Sequence, residues 1–218
     1  MIPLYDVIPS RRLPFLTVAI LGLDVMAFVF ELSLPESRLR QLVSSYGVVP
    51  ARVDWAVVPV SLFLHAGWTH IAGNLIYVWL FGGSVEDRLG RFRFALFYLL
   101  CGSLATAVQA VSNPGSFVPI VGSSGAVAGI LGAYFVLYPN SRILALVPLP
   151  CLWDAIEIPA LFFLALWIVA QLMSGAGAIT RAAAGNVANV ALWGNVAAFA
   201  AGMALVHIFK GSETRWSD

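Results

Sequence analysis

The chain has 218 residues, of which 60% are hydrophobic and only 11% are charged, and its mean hydropathy is +0.89. Soluble domains carry about 25% charged residues, so the composition excludes an ordinary soluble domain and points to an integral membrane protein. The formal net charge of +1 gives no reason to expect a nucleic-acid partner.

The chain opens with "MIPLYDVIPSRRLPF", which has no short basic leader. The apolar run from Leu13 to Leu32 is longer than the about 7–15 residues of a secretory signal core. The run is expected to stay as a first spanning helix at 13–33, behind a cytoplasmic segment at 1–12. Asp24 lies in the middle of that span and Glu31 near its outer end; an acid at such depth must be paired or wet. Residues 34–68 are semi-polar, with aromatics and prolines but no clear span, and read as a structured outer loop that partly dips into the membrane. Further spans are expected near 69–85, 92–111, 124–138, 156–173 and 187–209, followed by a cytoplasmic tail at 210–218. A crossing takes about 20 residues, so the second and fourth spans are short. The expected fold is all-α: a polytopic bundle of six transmembrane helices over 13–209. It shows no internal repeat, low-complexity tract or second domain.

Loop charges orient the bundle. With the amino terminus inside, the inner segments hold Arg11, Arg12, Arg88, Arg91, Arg93, Arg142, Lys210 and Arg215, whereas the outer segments hold only Arg38, Arg40, Arg52 and Arg181. This excess of inner positive charge fits an even number of spans with both termini in the cytoplasm. Cys101 and Cys151 have neither metal-ligand spacing nor a disulfide-rich context and read as ordinary apolar thiols. Nothing in the sequence calls for a cofactor or a metal.

The fourth span is the unusual one. Residues 120–130 read "IVGSSGAVAGI". Pro119 and Gly122 block a helix before Ser124, and Pro139 stops it after Tyr138. Fifteen residues rise about 22 Å, against a hydrocarbon core of about 30 Å. The helix therefore starts below the outer surface, with unpaired N–H groups and a positive dipole end at depth. Lipid cannot satisfy those groups, so they must face protein or a wet cavity. Ser124 stands at that terminus, where a hydroxyl serves either as a helix cap or as a reactive group.

Three more polar residues lie in "LHAGWTHIAGNLIYVW": His65, His70 and Asn74. His70 and Asn74 are four apart, so they share a helix face at the depth assigned to Ser124. Intramembrane polar side chains serve either as functional groups or as interhelical glue. Gly125 and Gly129 on span four, and Ala198 and Gly202 on span six, have the small-residue spacing of closely packed helices. If these two spans meet there, Asn195, one turn above Ala198, looks toward Ser124.

These residues resemble the rhomboid family of intramembrane serine proteases over nearly the whole chain. The family's GxSG signature appears as Gly122, Ser123, Ser124 and Gly125, and its His-x-x-x-Asn as His70 and Asn74. "HAGWTHIAGN", "FGGSVEDRLG" and "LGAYFVLYP" are similar to the bacterial branch. The resemblance implies that Ser124 is the nucleophile, and that its N–H, with His70 and Asn74, stabilises the oxyanion. It also implies residence in a bacterial inner membrane and action on transmembrane segments of membrane proteins within the lipid bilayer.

One position departs from the pattern. Where the family carries a histidine on the sixth helix, in a stretch like "AHIGGFLAG", this chain has "GNVAAFAAG", with Asn195 at the histidine position. Histidine activates serine because its pKa of about 6.5 lies near working pH; an amide accepts no proton there. His207 is twelve residues further along, about 18 Å away. His65 stays open as a substitute base. Two readings follow from different classes: an intramembrane serine endopeptidase that is catalytically impaired, and a pseudoprotease that binds transmembrane clients as an adaptor. A transporter would need several midplane charges or inverted repeats, and Asp24 alone does not supply them.

Overall fold

The computed structural model describes residues 2–6, 13–148, 153–183 and 192–210. Arg11, Arg12, Cys151, Arg215 and the first residues of the expected sixth span, 187–191, lie outside the described residues. The protein is mostly helical. Among the described residues, three helices are long and apolar enough to cross a membrane: α1 (Phe15–Ser33), α4 (Arg91–Ser112) and α7 (Leu192–Phe209). Between them run α2 (Glu36–Tyr46), a composite helix α3, the short α5 (Ser124–Leu137) and α6 (Ala160–Ala183).

Helix α1 shows how the membrane inverts the usual pattern of burial. Its buried line is Thr17, Ile20, Asp24, Phe28 and Glu31, three of them polar, while Val18, Met26, Val29 and Phe30 are exposed. Thr17, Asp24 and Glu31 are seven residues apart and so share one face. In lipid the apolar side chains belong outside and the polar ones inside. The start of α1 is held by Glu86, which accepts from the Leu16 and Thr17 N–H groups at 3.0 and 2.7 Å and from the Thr17 hydroxyl at 2.8 Å. A carboxylate there satisfies the orphan donors and complements the dipole.

Helix α3 is an α-helix over Trp68–Tyr77, a π turn over Val78–Gly82 and α-helix again over Gly83–Leu89. It is longer at both ends than the expected 69–85 span. Gly90, at φ 81, breaks it before α4. Phe28 and Trp68 pack edge to face at 5.0 Å and join α1 to α3. The loop from 34 is structured, as its composition suggests: α2 is followed by short helical turns at Pro50–Arg52, Trp55–Val57 and Val58–Ser61. Val48 and Ile120 exchange backbone hydrogen bonds of 3.0 and 2.8 Å, which lays this loop across the approach to α5.

Helices α4, α5 and α7 form the centre. A Cβ on Gly202 would run into the Gly129 backbone, with its Cα 2.9 Å away, and one on Gly132 would meet the Phe199 carbonyl carbon at 2.9 Å. Helices α5 and α7 therefore touch backbone to backbone, as the small-residue spacing of Gly129, Ala198 and Gly202 implies. Gly125 departs from that expectation: a Cβ there would run into Ala105 of α4, not α7. Gly129, one turn further along the same face, likewise meets Cys101 of α4 first and the Ala198 carbonyl oxygen of α7 at 3.6 Å, so the small-residue face of α5 is covered by α4 and only its edge by α7.

The sequence also hid a small sheet. Strands β1 (Ile2–Asp6), β2 (Arg142–Pro148) and β3 (Trp153–Pro159) pair antiparallel in the order β1-β2-β3. Arg142 lies opposite Pro159, and Ile2 opposite Leu146. The expected fifth span at 156–173 is thus displaced: its first residues complete β3, and α6 begins at Ala160. Ile143 and Ala145 point inward and are fully buried, packing the sheet on the helical core.

Candidate functional site

The sequence "VPIVGSSG" turns sharply because Gly122 adopts φ +108 and donates its N–H to the Ser61 carbonyl at 2.8 Å. Only glycine takes that backbone without strain, and no other residue fits: a Cβ would meet His70 Nε2 at 2.6 Å. The imidazole of His70 thus lies directly over Gly122. Helix α5 starts immediately afterwards, at Ser124, so its unpaired first-turn N–H groups and positive end lie at the turn.

A cavity of about 500 Å³ opens here. Ser124, His70, Asn74 and Asn195 all line it, so the structure gathers residues from α3, α5 and α7 that the sequence singled out. Gly122 and Gly125 shape it from outside the lining: the first admits the His70 ring, the second seats α5 on α4. The cavity also carries Gln109 of α4 and Trp167 and Gln171 of α6, which the sequence reading did not single out. A glutamine inside an apolar span was the available signal.

The histidines have distinct states. His70 Nδ1 accepts from the Ala66 N–H at 3.4 Å, which leaves the proton of a neutral ring on Nε2. His65 sits in the loop before α3 and is 4% exposed. Its Nδ1 lies 3.1 Å from the Phe63 carbonyl, while Nε2 lies 3.2 Å from Asn74 Nδ2 and 3.5 Å from the Ser123 hydroxyl. Its backbone N–H donates to the Glu31 carboxylate at 3.0 and 3.3 Å. Burial, and next the neighbouring His70, hold its pKa down at about 4, against a smaller pull from the Phe63 carbonyl. A histidine does contact a serine in this protein, but the serine is Ser123, which is fully buried and not in the cavity. His207 is exposed on the far part of α7.

On the opposite wall, Asn195 is 5% exposed, and its Oδ1 has no hydrogen-bond partner among the described residues. No hydrogen bond joins it to Ser124 there. The adjacent Gly194 presses on the α4 backbone at Ala105 and donates to Gln109 Oε1 at 3.4 Å, fixing this part of α7. Asp24 is fully buried, with neither carboxylate oxygen in hydrogen-bond geometry to a described residue, although the Ser123 side chain lies beside it. Among the described residues no cluster of His, Cys, Asp and Glu suits a metal ion.

A helical membrane protein with a polar cavity at a buried helix start, flanked by a serine, a histidine and two asparagines, defines a class. The chain belongs to the rhomboid family: the rhomboid domain matches residues 53–212. It is 34% identical over 138 residues to a candidate rhomboid protease, YdcA, of Bacillus subtilis (strain 168), covering 61% of this chain and 68% of that protein. It is 32% identical over 126 residues to the mitochondrial presenilin-associated rhomboid-like protein of Bos taurus, covering 56% of this chain and 33% of that one. It is 30% identical over 134 residues to the rhomboid protease GluP of Bacillus subtilis (strain 168), covering 59% of this chain and 26% of that one. The chain thus spans a third or less of the length of the last two relatives.

Proposed function

We propose that this protein is a rhomboid-type intramembrane serine endopeptidase scaffold whose cavity receives transmembrane segments of membrane proteins, and whose catalysis is impaired because position 195 lacks a base. The observation that carries the reading is the Asn195 amide, facing the same cavity as Ser124 with an Oδ1 that has no partner among the described residues. Acyl transfer to a serine needs an acceptor for the hydroxyl proton as the Oγ–C bond forms. Asn195 takes no proton at working pH. His70 carries its proton on the nitrogen that faces away from Ala66, so it suits donation to an oxyanion rather than proton removal. His65 is committed to Asn74 and Ser123 at Nε2 and to Phe63 at Nδ1. In this reading Ser124 is the nucleophile, and its N–H, His70 and Asn74 are the oxyanion donors.

The preserved cavity and donors favour a second reading equally concretely: an adaptor that binds transmembrane clients without cutting them. A six-span arrangement in a bacterial inner membrane, with both termini cytoplasmic, is part of the proposal. The Glu86 contact to α1 supports it by putting the start of α1 and the basic turn at Arg88, Arg91 and Arg93 at one end.

The test is turnover of a single-span model substrate by purified protein, alongside labelling by a fluorophosphonate, which reports an activated serine. Slow or absent labelling and little cleavage are expected. Rapid labelling that disappears in Ser124→Ala would overturn the impaired reading and reveal a working base.

A further inference from the structure

Behind the α3 wall of the cavity lies a chain of buried polar side chains of which the chemistry above uses only Asn74. Glu31, His65, Asn74 and Ser123 are 2%, 4%, 5% and 0% exposed, and they come from α1, the loop before α3, α3 itself and the turn before α5. His65 is their junction. The Phe63 carbonyl can only accept, so the 3.1 Å contact puts the hydrogen on Nδ1. Nε2 of the neutral ring is then a lone pair, and two donors converge on it: Asn74 Nδ2 and the Ser123 hydroxyl.

We propose that His65 is a positioning residue that locks the two halves of the oxyanion pocket to each other, a role that rests on the rhomboid reading above. One half is the Asn74 amide. With its nitrogen held by His65, that amide has one orientation instead of two, and its second N–H stays available as a donor. The other half is the Ser123–Ser124 peptide. A tether on the Ser123 hydroxyl sets the plane of that peptide, and its N–H is the backbone donor. Glu31 anchors the junction through the His65 N–H. The other charged or titratable groups facing it are the His70 ring, 5.2 Å away between centroids, and Asp24 behind Ser123. A second proton on His65 would turn Nε2 into a donor and turn the Asn74 N–H away, while the Ser123 hydroxyl would have to accept instead of donate.

The readout is the imidazole itself. The chain has three histidines, so ¹⁵N-histidine protein in nanodiscs gives few signals, and His65→Gln identifies the one that is lost. The expected result is an Nδ1–H ring that stays neutral down to about pH 5, and whose signal moves in both Asn74→Ala and Ser123→Ala. An Nε2–H ring, or a signal unmoved by both substitutions, overturns the proposal. The second arm uses the Asn195→His protein. There His65→Leu is expected to lower kcat about 10²-fold, the size of effect a small misplacement of catalytic groups produces, with KM nearly unchanged. His65→Gln, whose carbonyl oxygen accepts from the same donors, restores part of the loss. An unchanged kcat in folded His65→Leu protein overturns the proposal. If the Asn195→His protein does not cleave at all, the proteolytic reading fails, and the ring's protonation pattern in the unsubstituted protein still decides the role of His65.

Discussion

On the α3 side of the cavity the two site residues, His70 and Asn74, are held. Asn74 is bonded to His65, His65 to Phe63 and Glu31, and His70 to the Ala66 N–H. On the α7 side Asn195 presents a buried Oδ1 with no partner among the described residues. The difference teaches that an oxyanion pocket and a proton acceptor are separable parts: one wall is cross-braced by elements distant in sequence, while the other depends on one side chain.

The comparison breaks most sharply at position 195. If only the acceptor is missing, Asn195→His is sufficient to supply it, because the swap is close in size and puts an imidazole where the amide now faces the cavity. The expected outcome is a gain of about 10²–10⁴-fold in cleavage of a single-span substrate, the range a general base contributes. Adding Ser124→Ala should abolish it. A folded Asn195→His protein without gain would mean that the α3 wall is not competent either, and the adaptor reading would take over.

A second experiment compares the packing that brings the walls together with the lipid-facing surface. A Cβ at Gly202 would strike the Gly129 backbone, whereas Gly22 of α1 has nothing within 4 Å. Gly202→Ala should therefore destabilise by about 1–3 kcal/mol, the usual range for overpacking. Gly22→Ala should be neutral or slightly stabilising, since alanine is the better helix former by about 1 kcal/mol. Both are read as thermal midpoints in detergent. Gly125→Ala sharpens the point, because its obstacle is the Ala105 side chain. Ala105→Gly should rescue Gly125→Ala and leave Gly202→Ala unrescued. Rescue of both would place Gly125 and Gly202 in one contact after all.

What was legible in the sequence follows the same division. Ser124, His70, Asn74 and Asn195 stand out because a polar residue in an apolar helix is rare, and their spacing or order gives the face. The contact between α5 and α7 is legible in small-residue spacing. The sheet was not, because strand alternation is a contrast between polar and apolar faces. In "RILALVP" and "WDAIEIP" most positions are apolar on both, so the run reads as loop and then helix. The partner of β1 also lies more than 130 residues away, which no local pattern encodes. Gly125 and Gly129 both meet α4 first, because the spacing names a face but not which helix covers it. Ser123 was passed over because only the turn at Gly122 decides which of two adjacent serines looks into the cavity and which is buried against His65.

The smallest effect is a pH dependence carried by the braced wall. In the unfolded chain His65 takes up its proton near pH 6.5; in the folded protein it does so near 4. Between these values the unfolded state binds more protons, so stability must fall as pH falls. The contribution of a neutral His65 is complete above about pH 6.5 and is lost progressively down to about 4. Ordinary carboxylates titrate close to the lower end of the same range, so the informative quantity is a difference between proteins. Wild type and His65→Gln should be melted in the same detergent at pH 7 and pH 5. Wild type is expected to lose a few degrees more than the variant, because glutamine keeps an acceptor toward Asn74 and Ser123 but cannot be protonated. Parallel losses would show that His65 is not held neutral by its surroundings, and the contrast between a locked wall and an open one would then rest on geometry without its electrostatic half.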